Sequence, residues 1–328
     1  MKANHLKGRA ILITGGTGTF GKALVHHLLS MKGILKIVVF SRDEYKQSEM
    51  RREFNDHRLR FLIGDVRDRS RLVRAFNHID IVVHAAALKQ VPALEYNPAE
   101  AIETNINGTR NVIEAALECD VAQVLTISTD KAVQPVNLYG ATKMCAERLT
   151  IAANVYRGKH KRTRFSVMRY GNVLGSRGSI VELIEKQRPS GKITLTDERM
   201  TRFWIHIDAV IDSVLDALRI MDSGEIFVPK MHAAHVRDLI HTIAPECSFT
   251  IIGIRPGEKM HETLITEYEA GRTKEVGGLY VIEPEFADWN RKDAFRKYRS
   301  LHAGESYSSD NKKYLLSGKQ IHKLLKEA

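Results

Sequence analysis

The stretch Arg9-Ala-Ile-Leu-Ile-Thr14 runs straight into Gly15-Gly-Thr-Gly-Thr-Phe-Gly21, and Lys22 to Met31 then has helical character. The uncharged apolar run from Ala10 to Ile13 predicts a strand buried on both faces, as in a parallel sheet. Lying between a strand and a helix, the glycines acquire definite tasks. Gly15 permits a tight turn, Gly18 lets the backbone approach a pyrophosphate, and Gly21 lets the helix pack close to the strand. The helix amino terminus then offers free N–H groups and a favourable dipole to the phosphates. The expected fold class is α/β: a doubly wound, Rossmann-type parallel sheet that binds a dinucleotide, with a smaller C-terminal α/β substrate-binding lobe.

Further strands are expected at 37–40, 59–63, 81–83, 124–127 and 165–169. The end of the second decides which dinucleotide fits, since an acid there bonds a ribose 2′-hydroxyl whereas a basic group accepts a 2′-phosphate. Ser41-Arg42 comes before Asp43 and Glu44, which favours NADP with Arg42 on the phosphate and Lys46 as a weaker second candidate. Asp43 turned toward a ribose is the alternative. After the third strand, Asp65 either holds the nucleotide or caps the next helix. Small residues Ala85-Ala86-Ala87 after the fourth leave room for a nucleotide against the backbone, and His84 reads as a packed core histidine. Beyond residue 172 the alternation of strand and helix loosens. The expected division is 1–172 for the dinucleotide domain, with 207–230 returning to it, 173–206 and 231–283 for the lobe, and 284–328 as a tail. That tail, with Tyr298, Tyr307, Asp310 and Tyr314, either closes over the nucleotide or joins a partner subunit.

Chemistry concentrates in Ser128-Thr-Asp-Lys-Ala-Val-Gln-Pro-Val-Asn-Leu-Tyr-Gly-Ala-Thr-Lys143. It follows the apolar run Val124 to Ile127, so its side chains sit at a strand's carboxyl end, where open α/β sheets gather ligands. Pro135 rules out a continuous helix from the strand, and Tyr139 to Leu149 is rich in helix formers. Tyr139 and Lys143, four apart, share a helical face. An ammonium beside a phenol favours the phenolate, so Tyr139 is expected to accept a proton with Lys143 tuning it. Asp130 and Lys131 add a carboxyl group and a second amine. The Tyr-x-x-x-Lys spacing also occurs on ordinary exposed helices, so the neighbouring segments decide its meaning.

The charge balance, 50 Lys and Arg against 39 Asp and Glu, leaves +11, which suits a polyanionic small substrate, an acidic surface or nucleic acid. The densest run, Lys159-His-Lys-Arg-Thr-Arg164, has no interleaved aromatics and no nucleic-acid motif beside it, so no nucleic-acid partner is expected. Cys119, Cys145 and Cys247 are odd in number and scattered, which suits reduced thiols in the cytoplasm. No apolar stretch reaches the roughly 20 residues of a membrane span, and the N-terminus lacks a signal-peptide core. His261-Glu262 resembles a metal-binding fragment, but no second histidine lies four residues away, so no metal is expected. Arg255-Pro-Gly-Glu-Lys259 carries a turn signature and either wraps over a diphosphate or is an exposed turn.

Taken together, 15–21, 40–44, 84–89, 128–132, 169–173, 200–204 and 254–259, with Tyr139-x-x-x-Lys143, resemble the extended short-chain dehydrogenase/reductase family, and within it the nucleotide-sugar 4,6-dehydratases. The resemblance implies that Thr14, Gly15, Thr17, Gly18, Thr19, Phe20 and Gly21 cradle NADP at its phosphates. Ser41, Arg42, Asp65 and Val66 would take the adenosine end, and Ala85, Ala86, Ala87, Lys89, Thr104, Tyr139 and Lys143 the remainder, with Asn105 steadying the central strands. For a substrate such as UDP-N-acetylglucosamine it implies Lys89, Thr129, Asn172, Arg177, Thr194, Arg202, Arg255 and Glu258, with Lys259 a further cation for the diphosphate. Asp130, Lys131, Tyr139 and Lys143 become the catalytic set: Tyr139 takes the C4 hydroxyl proton, Lys131 the C5 hydrogen, and Asp130 protonates the departing C6 hydroxyl. Relatives that retain configuration at C5 commonly have glutamate in place of Lys131, so inversion is implied, at the start of pseudaminic acid biosynthesis. A cytoplasmic homo-oligomer is also implied. A retaining dehydratase, an epimerase and a non-catalytic NADP-binding scaffold remain as alternatives.

Overall fold

The computed structural model describes residues 4–156, 162–176, 179–289 and 291–326. Nine strands make one sheet: β1 (Ala10–Thr14), β2 (Lys36–Ser41), β3 (Leu59–Ile63), β4 (Ile81–His84), β5 (Gln123–Thr129), β6 (Arg164–Tyr170), β7 (Ile226–Pro229), β8 (Thr273–Val276) and β9 (Leu279–Ile282). Their spatial order is β8-β9-β7-β6-β5-β4-β1-β2-β3. Every pairing from β3 across to β7 is parallel, and β9 and β8 add an antiparallel edge. The order turns at β1, between β2 and β4, where a doubly wound sheet opens its crevice. Thr14 is level with Phe40 on one side and His84 on the other, so the three carboxyl ends meet at one height.

Alternate side chains of a strand serve opposite faces. Ile11 and Ile13 pack with Leu24, Val25 and Leu28 of helix Thr19–Ser30 and with Val210, Ile211 and Val214 of helix Ile207–Ile220. Ala10 and Leu12 pack the other way, against Leu72, Phe76, Val112 and Ala115. Each fully buried Leu or Ile contributes roughly 1.5–3 kcal/mol, so the crevice is fixed from both layers. His84 is part of this scaffold, its ring spanning Thr14 Oγ1 at 2.7 Å and Thr109 Oγ1 at 3.1 Å. Burial pulls its pKa down to about 3, so the ring is neutral.

The smaller lobe has its own core of Ile184, Ile193, Leu195, Met200, Trp204, Leu239 and Ile240. The strands His232–His235, Thr201–Ile205 and Asn172–Val173 form one small sheet, and Ser248–Ile251 pairs with Lys192–Leu195 in another. Two expected boundaries need correction. Residues 273–282, assigned to the lobe, form β8 and β9 of the large sheet, because β9 is buried throughout and pairs with β7. The tail from 284 onward is no separate appendage. Ile321 completes the lobe core, Tyr307–Ser308 pairs with Thr263–Ile265, and residues 299–301 run along β8 through Glu275 N to Arg299 O and Leu301 N to Thr273 O.

Candidate active site

A cleft of about 1020 Å³ opens at the carboxyl ends of β1, β2, β4 and β5 and reaches across to the lobe. Its floor is the glycine turn. Gly15 has φ +67°, and a Cβ there would stand 2.8 Å from Ala86 N, so the turn and the segment after β4 touch backbone to backbone. At Gly21 a Cβ would lie 2.5 Å from Gly16 Cα, which fixes how close helix Thr19–Ser30 comes to its own turn. That helix starts from Gly18 with no side chain capping its first-turn amides and no acid in the first turn. Thr14 stays beneath, fully buried, its hydroxyl accepting from Ala86 N at 3.2 Å. The Thr104 hydroxyl, buried on the cleft wall, has no hydrogen-bond partner. The open helix terminus, the side-chain-free turn and this unused hydroxyl fit a dinucleotide.

Thr17, Gly18, Thr19, Phe20, Ser41, Arg42, Asp65, Val66, Ala85, Ala86, Ala87 and Lys89 also face this cleft. At the end of β2, Asp43 is tied down: its carboxylate caps helix Glu44–Glu53 through Lys46 N at 3.0 Å and pairs with Lys46 Nζ at 2.6 Å. Arg42 is half exposed and 3.6 Å from Asp65. Asp65 holds Arg67 at 2.8 Å rather than capping a helix, a task that falls to Asp68. Asn105 sits in a π-helical stretch, Ile102–Asn107, and clamps the segment after β4 by bonding both Leu88 N and Leu88 O while donating to Thr142 at 3.0 Å. Irregular helix at such a place re-aims side chains toward a site.

β5 ends in a single 3₁₀ turn, Asp130–Ala132, before helix Leu138–Tyr156. Asp130 is fully buried, and its Oδ1 accepts from Thr129 Oγ1 at 2.8 Å and Lys131 Nζ at 3.0 Å. Lys131 also reaches Asn172 Oδ1 at 3.4 Å and Glu262 Oε1 at 3.6 Å. Burial pulls the Lys131 pKa down, but Asp130 and Glu262 more than offset this and hold it above the usual lysine value. Tyr139 faces the cleft beside this pair.

The expected tuning of Tyr139 by Lys143 needs correction. Burial pushes the phenol up to about 12, and the cation opposing that rise is Lys131, helped by a hydrogen bond with Thr129 and countered by Asp130. Lys143 shares the face but reaches toward β5, donating to Ile127 O at 2.6 Å. Its own pKa is pulled down to about 8 by burial, against the pull of Glu147.

Among the substrate candidates, Lys89, Thr129, Asn172, Arg202, Arg255 and Glu258 line the cleft. Arg177 lies outside the described residues. Thr194 does not line it: its hydroxyl and backbone N–H are taken by Gln187 within the lobe. Arg202 is committed to the lobe loop, and Lys259 to the segment after β5, more than to an open anion site. Arg202 donates to Thr201 O, Met260 O and Lys259 O, and Lys259 Nζ donates to Val133 O. Glu262, 2% exposed, is the residue the sequence reading missed. Its sequence signal is an acid three residues past a basic turn and next to His261, which says nothing of Lys131, so far away along the chain. Among the described residues no group of His, Cys, Asp and Glu is arranged to hold a metal, and no helix is long and apolar enough to cross a membrane.

The parallel sheet, the glycine turn and Tyr139-x-x-x-Lys143 at the crevice define an extended short-chain dehydrogenase/reductase. Residues 11–284 match the polysaccharide biosynthesis protein family, to which the chain belongs. It is 46% identical to the UDP-N-acetylglucosamine 4,6-dehydratase (inverting) of Campylobacter jejuni strain 81-176, covering 96% of each chain. It is 40% identical to the UDP-glucose 4-epimerase of Rickettsia bellii strain OSU 85-389, covering 94% of this chain and 92% of the other. The solved structure of Pen from Bacillus thuringiensis superposes with a TM-score of 0.90 at 37% identity, covering 98% of each chain.

Proposed function

We propose that the protein is a nucleotide-sugar 4,6-dehydratase that removes water from UDP-N-acetylglucosamine with inversion at C5, giving a UDP-2-acetamido-2,6-dideoxy-L-arabino-hex-4-ulose. One observation carries this reading: a carboxyl group, an amine and a phenol, from Asp130, Lys131 and Tyr139, gather where the cleft meets the end of β5. An epimerase needs the phenol but not the acid and amine beside it. The similarity to a dehydratase along almost the whole chain supports the choice.

A nicotinamide held in the cleft would supply the redox chemistry, a hydride taken up from the sugar and given back to it, so that no net oxidation results. The glycine turn and helix Thr19–Ser30 would hold its diphosphate, and Lys143 and Thr104, which line the cleft, its inner half. NADP is the favoured form, since Arg42 is open to a 2′-phosphate while Asp43 is occupied as a helix cap. Tyr139 receives the C4 hydroxyl proton. With C4 oxidised, the C5 hydrogen is acidic; Lys131 removes it while Asp130 protonates the C6 hydroxyl, which leaves as water. Asn172 orients the Lys131 amine. Reprotonation of C5 on the opposite face gives the inverted centre. The same reading carries a cytoplasmic homo-oligomer at the entry of pseudaminic acid biosynthesis.

Incubation with UDP-N-acetylglucosamine in heavy water, without added cofactor, tests the reaction by NMR and mass spectrometry. Loss of one water with deuterium at C5 is expected; a product of unchanged mass would make the protein an epimerase. Nucleotide released from the denatured protein should be NADP, and NAD would overturn the reading of Arg42.

A further inference from the structure

The adjacency of Asp130 and Lys131 poses a difficulty. As an ion pair they offer neither an acid nor a base, and the 3.0 Å contact between them is that of a pair. Elimination needs the proton on Asp130 and a neutral amine on Lys131. The lobe brings a third titratable group to this pair. Glu262 follows the Arg255–Lys259 turn, is 2% exposed, and presents Oε1 to Lys131 Nζ at 3.6 Å. Around it stand Asp130 and Lys131 from the turn after β5, Arg202 at 3.9 Å from strand Thr201–Ile205, and Lys259 at 3.4 Å from its own loop. His261 beside it turns to Thr201 at 2.8 Å. Ser309 pins the Glu262 backbone, accepting from its N–H at 2.9 Å and donating to its carbonyl at 2.8 Å. Asp130 Oδ2 and Glu262 Oε2 have no hydrogen-bond partner, and Oε2 has only the 3.4 Å ion pair with Lys259, so neither oxygen is held by a hydrogen bond that a proton would have to displace.

We propose that Glu262 is a positioning residue that sets, from the lobe, how the proton is shared between Asp130 and Lys131. With Glu262 ionised, Lys131 lies between two carboxylates and is locked as an ammonium. With Glu262 protonated, one of those charges is gone. The proton can then pass along the Lys131–Asp130 hydrogen bond: an N–H bond breaks, an O–H bond forms on Oδ1, and the ion pair becomes a neutral amine and a neutral acid. Lys131 then takes the C5 proton and Asp130 gives its own to the leaving hydroxyl, which restores the ammonium and the carboxylate. Burial and Asp130 both raise the Glu262 pKa, against Lys131, Arg202 and Lys259, which favours the protonated form.

This rests on the dehydratase reading, and the test separates the two. Formation of the 4-keto product by the wild type and by Glu262→Gln is followed from about pH 6 to about pH 9. Glutamine imitates the protonated acid at every pH, so the ratio of variant to wild-type turnover should rise roughly tenfold or more toward the alkaline end. Glu262→Met, also uncharged, carries the same expectation and keeps the test open if the glutamine variant does not fold. Glu262→Asp should keep the wild-type profile. If the wild type dehydrates and the uncharged variants follow its pH profile, the inference falls while the proposed function stands. If the wild type forms no dehydrated sugar, the dehydratase reading falls and this inference with it.

Discussion

Two ion clusters in this protein each set a cation between two carboxylates, with Arg202 and Lys259 adding further positive charge around the second, and one carboxyl of each shifts the opposite way. In the first, Arg169 of β6 lies between Glu147 and Glu269, bidentate to each, at 2.7–3.1 Å, and also donates to Leu264 O. Ser128 completes it by donating to Glu147 at 2.6 Å. Although burial alone would raise Glu269, Arg169 pulls its pKa below the usual carboxylate value. In the second cluster, Lys131 between Asp130 and Glu262, one contact is a hydrogen bond and the other a looser pair, Asp130 Oδ2 has no hydrogen-bond partner, and Glu262 Oε2 has only a looser ion pair with Lys259 at 3.4 Å. There Glu262 is raised instead. A planar guanidinium satisfies two carboxylates at once, whereas an ammonium on a flexible stem leaves part of the demand unmet. The satisfied cluster is scaffold; the less satisfied one includes Lys131 and Glu262, which line the cleft.

The largest effects should come from removing the two cations. Arg169→Met leaves two buried carboxylates unpaired and should cost about 3–5 kcal/mol in urea unfolding. Lys131→Met also strips a buried carboxyl of its cation, but Glu262 keeps Arg202 and Lys259 nearby, so it should cost less in unfolding than Arg169→Met while lowering turnover about 10²- to 10⁴-fold. The reverse pattern would abolish the distinction.

The pH dependence of stability sharpens it further. The folded-state pKa of Glu269 is depressed, so its contribution is present above the unfolded value and is lost as pH falls through the folded one. Glu269→Gln should therefore destabilise the protein at neutral pH and flatten its acid-side loss. A raised Glu262 has the opposite sign, favouring the fold at low pH and opposing it as pH rises. Unfolding free energies across the pH range read both slopes, and slopes of equal sign would contradict the contrast.

The smallest effect is expected at the seat of Glu262. Ser309→Ala removes the hydroxyl that accepts from Glu262 N and bonds Thr201 at 2.7 Å. A loss of roughly 1–2 kcal/mol should appear in unfolding, as one buried N–H loses its partner. Turnover should drop more than KM rises; a change confined to KM would mean that this seat serves substrate binding alone.

The parallel strands were legible because burial on both faces leaves unbroken apolar runs such as Ile37 to Phe40 and Ile81 to Val83. Helix Thr19–Ser30 starts earlier than Lys22, since Gly18 itself is the N-cap. The hairpin β8–β9 was less legible, because Thr-Lys-Glu-Val of β8 is a half-exposed edge strand and reads as lobe. Within the site, the local pattern put Asp130, Lys131 and Tyr139 together, while the environment of the phenol was misjudged: helical spacing sets a shared face but not where a long lysine side chain ends. Glu262 and Ser309 escaped because their contacts with Lys131 and Thr201 depend on the folded lobe, which no local periodicity encodes.

The run of residues 299–301 along β8 also bears on how the molecule behaves at high concentration. With Glu275 N and Thr273 O already bonded to Arg299 and Leu301, that margin of the sheet offers fewer free backbone groups to a neighbouring molecule. At the opposite margin β3 is only five residues long, and Arg60 folds back on His57 O and Leu59 O. A large, strongly apolar sheet thus ends in two margins unsuited to strand addition, which disfavours edge-to-edge aggregation.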